Sequence, residues 1–125
     1  MFEATFTITA LVENDGQGQH VFRVWQHADP VNDDGLLSLL IRIYEQDVSR
    51  TLRVGDDLRV YVHLDLPPRE IEKILHFRED GQFEGEGMAE PTRDLHTLIA
   101  SMFEYYRPRV QSGDVFTISF QVQRN

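Results

Sequence analysis

Residues 58–66 read Leu58-Arg59-Val60-Tyr61-Val62-His63-Leu64-Asp65-Leu66, five aliphatic side chains alternating with four polar or aromatic ones. Side chains along a strand point to opposite faces in turn, so this period of two predicts a strand with one buried face and one wet face. Parallel strands covered on both sides read instead as unbroken aliphatic runs. The stretch therefore predicts an antiparallel sheet with helices on one face and the other face open.

Moving outward, the same pattern recurs twice. Near the start, Ala4, Phe6, Ile8, Ala10 and Val12 alternate with Thr5, Thr7 and Thr9. Near the end, Phe116, Ile118, Phe120 and Val122 alternate with Thr117, Ser119, Gln121 and Gln123. Asn14-Asp15-Gly16-Gln17-Gly18 supplies turn chemistry, and His20–Trp25 resumes as a strand, which predicts a first hairpin. Asp80-Gly81, between His76–Glu79 and Gln82–Glu84, predicts a second.

Two helices are expected between the strands. Asn32, Asp33 and Asp34 are N-cap candidates, and Leu36, Leu37, Leu40, Ile41, Tyr44 and Val48 follow on one helical face over about 34–48. Thr92 is the cap expected for a second helix, with Leu95, Leu98, Ile99, Met102 and Tyr106 on its apolar side and Arg107-Pro108 as its stop. Pro67-Pro68 suggests that residues 69–75 form a third, short helix, since proline suits a first helical turn.

The fold class expected is α+β: one domain over residues 1–125, a mainly antiparallel sheet, and two principal helices on one face. Its order is hairpin, helix, strand, then short helix, hairpin, helix, strand. At an offset of 58, Leu40, Ile41, Gly55 and Asp56 match Leu98, Ile99, Gly113 and Asp114. An internal duplication of a hairpin–helix–strand unit, with halves 1–66 and 67–125, is the corresponding expectation.

Composition narrows function mainly by exclusion. The 125 residues hold no cysteine, which removes thiol catalysis and cysteine-ligated metal centres. The net charge is −9, with ten acids and five bases in residues 1–62 and eleven acids and seven bases in residues 63–125. Nucleic acids and anionic membranes are recognised mainly through Lys and Arg, so neither is an expected partner. No run of about 18 apolar residues is present, and the first residues lack the basic, apolar pattern of a signal peptide. A cytoplasmic location is expected.

The familiar catalytic motifs are absent from the sequence. No phosphate-binding loop, nucleophile elbow or paired zinc-ligand histidines occur, so no cofactor, no metal and no catalytic residue are expected. His63 and Asp65 share a strand face and are the only acid–base pair worth naming, as the core of a less favoured enzymatic reading. Glu79, Asp80, Glu84, Glu86, Glu90 and Asp94 form an acidic stretch suited to docking a basic protein surface. The open face should carry Thr5, Thr7, Thr9, Tyr61, His63, Thr117, Ser119 and Gln121, with Trp25 or Val24, and little charge beyond Arg59 and Asp65. Such a surface sheds its water at modest cost.

The function expected is therefore non-enzymatic binding of another protein, in the manner of a small acidic adaptor, inhibitor or immunity protein of bacterial or phage type. Self-association into a homo-oligomer such as a homodimer belongs to the same reading. Candidate contacts are Trp25, Tyr61, His63, Asp65, Thr117, Ser119, Glu79, Asp80, Glu84 and Glu86. The rival reading is a small molecule held in a cleft between the two helix–strand units, walled by Trp25, Tyr44, Tyr105 and Tyr106.

Overall fold

Six antiparallel strands form one sheet in the order β2-β1-β6-β3-β4-β5 in the computed structural model, which describes residues 1–27, 29–65, 67–85 and 88–124. The strands are β1 (Phe2–Asn14), β2 (His20–Val24), β3 (Asp57–Asp65), β4 (Pro68–Phe77), β5 (Phe83–Gly85) and β6 (Val115–Arg124). The helices are α1 (Asp33–Ile43), the three-residue α2 (Ser49–Thr51) and α3 (Leu95–Tyr106). This is the α+β architecture that the alternating strands predict.

The core lies between the sheet and the two long helices. Ile8, Ala10 and Val12 of β1, Leu58 to Leu64 of β3 at every second residue, and Phe116 to Val122 of β6 at every second residue bury their side chains. Leu36 and Leu40 of α1 and Leu95, Ile99, Met102, Phe103 and Tyr106 of α3 join them in one cluster. Phe116 anchors it, with ring centroids 6.0 Å from Phe22, 6.1 Å from Phe103 and 6.3 Å from Tyr106.

Helix boundaries follow local chemistry. The Asn32 side chain accepts from the Gly35 N–H and starts α1. Asp94, not Thr92, plays that part for α3, with its Oδ1 accepting from the Thr97 N–H at 3.2 Å. Thr92 instead exchanges backbone hydrogen bonds with Phe83. The helix expected over 34–48 leaves α geometry at Tyr44 and continues as a π-helical turn, Tyr44–Val48.

The short helix expected over residues 69–75 is absent, and β4 stands in its place. Ile71, Lys73, Leu75 and Phe77 turn toward the helices while Glu70, Glu72, Ile74 and His76 turn away. The ladder with β3 decides the outcome, because a strand here pairs with nine consecutive residues, Asp57 to Asp65. A short helix would leave that edge of β3 bare.

The sheet order is unchanged when β1, β2 and β3 exchange with β4, β5 and β6 and the list is reversed. Tyr61 pairs with Ser119 at the centre of this exchange. Finer details correspond as well. Gly55 and Gly113 take φ values of 93° and 94°, a region that a side chain disfavours. The Gly55 N–H donates to the Phe77 carbonyl and the Gly113 N–H to the Val12 carbonyl. Asp56 Oδ2 accepts from the Arg53 N–H at 2.8 Å, and Asp114 Oδ2 accepts from the Gln111 N–H at 2.9 Å. Phe22 bridges to Val31 as Phe83 bridges to Thr92.

Both aspartates are buried, and each has an arginine. Arg124 donates to both carboxylate oxygens of Asp56 at 2.8 Å, and Arg69 reaches Asp114 at 3.1 Å. The bonds from Arg124, reinforced by the Arg53 N–H, hold the Asp56 carboxyl below its usual range despite the opposing effect of burial.

Two stability predictions follow from this packing. Phe116→Ala should cost about 3–5 kcal/mol in a urea titration, since it removes the ring on which three others rest. Asp56 is charged in the folded protein at pH values where the unfolded chain already binds a proton. Its contribution is therefore complete above pH ~4 and falls as pH drops through the lower, folded value. Asp56→Asn should lower stability by about 1.5–3 kcal/mol at pH 7 and by clearly less near pH 3, read from urea midpoints at both pH values.

Candidate functional site: the open face of the sheet

With α1 and α3 on one side, the outward residues of β1, β3, β4 and β6 form a continuous surface on the other. The central row is set by register. Tyr61 lies opposite Ser119, His63 opposite Thr117, and Thr7 opposite Ser119 on the other flank. Thr7 and Ser119 share a hydroxyl–hydroxyl hydrogen bond of 3.0 Å. Thus Tyr61, His63, Thr117 and Ser119 come together as expected, with Thr5, Thr7 and Gln121 around them.

Trp25 sits at the far edge, beyond the end of β2, 67% exposed, while Val24 is buried. Its backbone N–H still donates to the Thr9 carbonyl. Glu84 turns to the open side at the opposite edge, opposite His76.

Strand β4 adds charge that sequence reasoning missed. Glu70 and Glu72 lie across from His63 and Tyr61 in the ladder. The Tyr61 hydroxyl donates to Glu70 Oε2 at 2.6 Å, and this bond, more than burial, raises the Tyr61 phenol above its ordinary value. Arg59 approaches Glu72 at 3.7 Å, and His63 Nδ1 lies 3.8 Å from the same Glu70 oxygen. Period-two alternation from Glu70 to Phe77 was the available signal, and the preceding prolines masked it. The face is therefore uncharged along β6 and from Thr5 to Leu11 of β1, with Glu3 and Glu13 toward the ends of β1, and carries ionic pairs along β3 and β4.

Arg59 Nε and His63 Nδ1 are shielded from solvent and have no hydrogen-bond partner among the described residues. Buried polar atoms are normally satisfied, so these two have unused capacity. Beside them a depression of about 300 Å³ is lined by Thr5, Arg59, Tyr61, Glu72, Ser119 and Gln121. The row can offer hydroxyl, amide and imidazole groups to a flat polar surface.

Other expected site residues have different surroundings. Asp65 accepts a 2.7 Å hydrogen bond from the Val115 N–H, the main reason its carboxyl titrates low. No hydrogen bond joins it to His63 among the described residues. Asp80 closes its hairpin by accepting from the Gln82 N–H, and Arg78 pairs with both Asp80 and Glu84. Asp94 caps α3, Glu79 and Glu90 are exposed, and Glu86 lies outside the described residues. The acidic stretch thus includes three residues tied to local structure, Asp80, Glu84 and Asp94.

The aromatic residues of the expected cleft do not share one wall. Tyr106 is in the core, where burial pushes its phenol up to about 12, whereas Tyr105 is exposed. Tyr44 packs edge-on against His96 at 6.3 Å, and Phe22, Phe103 and Phe116 fill the space beneath the helices. No described helix is long and apolar enough to cross a membrane.

No protein-family model, no curated protein and no solved structure matches this chain.

The Tyr61–Glu70 bond gives a direct check on the geometry. Glu70→Gln should bring one tyrosine back toward pKa ~10, visible in an ultraviolet titration of the phenolate, while the higher titration of Tyr106 persists.

Proposed function

We propose that this protein acts without catalysis, by binding another protein through the open face of its sheet, as a small acidic adaptor, inhibitor or immunity-type protein in the cytoplasm. The observation that carries the reading is the one-sided architecture. Both long helices cover the same face, and the central strands β1, β6 and β3 present Thr5, Thr7, Thr117, Ser119, Gln121, Tyr61 and His63 outward. A surface of hydroxyls and amides loses little on desolvation if its hydrogen bonds are re-formed, and aromatic groups such as Tyr61 and Trp25 supply contact area.

The net charge of −9 supports a partner that is not nucleic acid. The matched turns and bridges of the two halves also support a duplicated ancestral unit, with the central Tyr61–Ser119 pair as the join.

A photo-crosslinking side chain placed at Ser119 in the producing cell tests the proposal. The expected result is one adduct of discrete mass that is absent when the probe is moved to Ser38, which is exposed on α1. A Thr117→Arg change should abolish the Ser119 adduct without altering the thermal midpoint by more than a few degrees. Adducts that are missing at Ser119, or equal at both positions, would overturn it.

A further inference from the structure

Each outer hairpin joins a long strand to a short one. Strand β1 spans Phe2–Asn14, but β2 pairs with it only from Ala10 onward. Strand β4 spans Pro68–Phe77, but β5 pairs only with Leu75 to Phe77. The chain leaves β2 at Gln26, whose φ of 67° turns the backbone away. Two lengths of sheet edge therefore have no strand beside them among the described residues, one along Phe2–Ile8 and one along Glu70–Ile74.

The direction of the free groups can be read from the ladders. Val12 exchanges hydrogen bonds with Gly113 and Asp114 on the β6 side, and Thr9 accepts from Trp25 on the opposite side. Backbone groups alternate along a strand, so Glu3, Thr5 and Thr7 direct their N–H and C=O outward. Counting back from Val12 and from its counterpart Phe77 makes Thr5 and Thr7 equivalent to Glu70 and Glu72. Proteins guard free edges with charge and proline. The β4 edge has both, in Pro68, Arg69, Glu70, Glu72 and Lys73. The β1 edge, Phe2-Glu3-Ala4-Thr5-Phe6-Thr7-Ile8, has one charge and strong strand formers.

We infer that a second copy of this chain adds to the β1 edge, antiparallel and across a two-fold at Thr5. That register uses all three outward residues. Thr5 faces the partner's Thr5, and Glu3 faces the partner's Thr7. The two glutamates then stand about four residues apart, roughly 13 Å, beyond the screening length at physiological salt. Phe2 falls opposite the partner's Ile8 in a non-hydrogen-bonded pair, where side chains approach most closely.

Phe2 and the far end of the same strand are complementary. The Phe2 ring is 40% exposed, with the Arg124 guanidinium 4.4 Å from its centre. Beside Ile8 lies a groove of about 450 Å³ in which Ile8, Val24, Trp25, Leu39 and Ile43 alternate with polar residues such as Thr9 and His27. Pairing about Thr5 brings each Phe2 to the other copy's groove. This closes the contact on itself, as a two-fold interface requires, and ends strand addition at two copies. A second copy is thus the occupant that the edge itself specifies. The contact is distinct from the open face and leaves that face free on both copies.

Sedimentation equilibrium of the full chain, read up to about 500 µM, tests this. The expected result is a monomer–dimer equilibrium. Thr5→Pro removes an outward N–H that the folded chain does not use, and Phe2→Ala empties the groove. Each should weaken the dimer at least tenfold with an unchanged far-ultraviolet circular dichroism spectrum. Ser119→Arg, on the open face, should leave it intact, and Phe2→Ala, on the helix side of the strand, should leave the Ser119 crosslink intact, so the two proposals fail separately. A wild-type monomer at the highest concentration would overturn the inference, as would a dimer indifferent to both edge variants or one lost in Ser119→Arg alone.

Discussion

The fold depends on the pairing of β3 with β6. Each of these strands belongs to a different half of the chain, and together they form the middle of the sheet. Strand β1 pairs with β6, and β4 pairs with β3, so each terminal hairpin attaches to the sheet through a central strand. Strand β3 is reached only after α1 has crossed the sheet, and β6 only after α3. Neither half has a sheet of its own: without β6, β1 and β2 would be separated from β3. The buried aspartates before β3 and β6 fix where the two strands begin. Asp56 and Asp114 close the preceding turns from inside and take arginines from β6 and β4. Pairing across the centre and the anchoring of its turns are therefore one constraint.

That constraint also accounts for what the sequence disclosed. Strands β3 and β6 lie in the interior of the sheet and bury every second side chain, and β1 does the same from Ile8 to Val12, so their alternation is strict and legible. Burial of Val60 and Val62 fixes the outward position of Tyr61 and His63, because a slip of one residue would reverse every side chain. The hairpin signals at Asp15-Gly16 and Asp80-Gly81 were equally plain, since backbone chemistry alone sets them.

Strand β4 was less legible because it lies toward the edge. Its inward positions include the half-buried Lys73, opposite Val60, and its outward positions include Ile74. Alternation by polarity is therefore blurred where alternation by geometry is intact. The prolines before it suggested a helix start, and a long-range ladder with β3 overrode that local preference. The same misreading hid Glu70 and Glu72 from the expected face. Thr92 and Asp94 both have capping side chains, and only the bridge to Phe83 withdraws Thr92 from the role and leaves it to Asp94.

Symmetry of fold and asymmetry of surface have different causes here. The equivalent positions that agree are those required by backbone geometry, such as Gly55 with Gly113 and the paired aspartates, or by the core, such as Phe22 with Phe83. Core equivalents exchange one apolar side chain for another, as Leu58 with Phe116, whereas on the sheet edges the change is one of charge, where Thr5 and Thr7 correspond to Glu70 and Glu72. Core packing and turn conformation tolerate little change, whereas an edge strand's outward residues affect chiefly what meets them. A charged and proline-bearing edge resists another strand, and a threonine-rich one accepts it. The chain thus combines two edges of the same geometry with opposite chemistry, and that difference gives a nearly symmetric sheet one side prepared for association and one side closed to it.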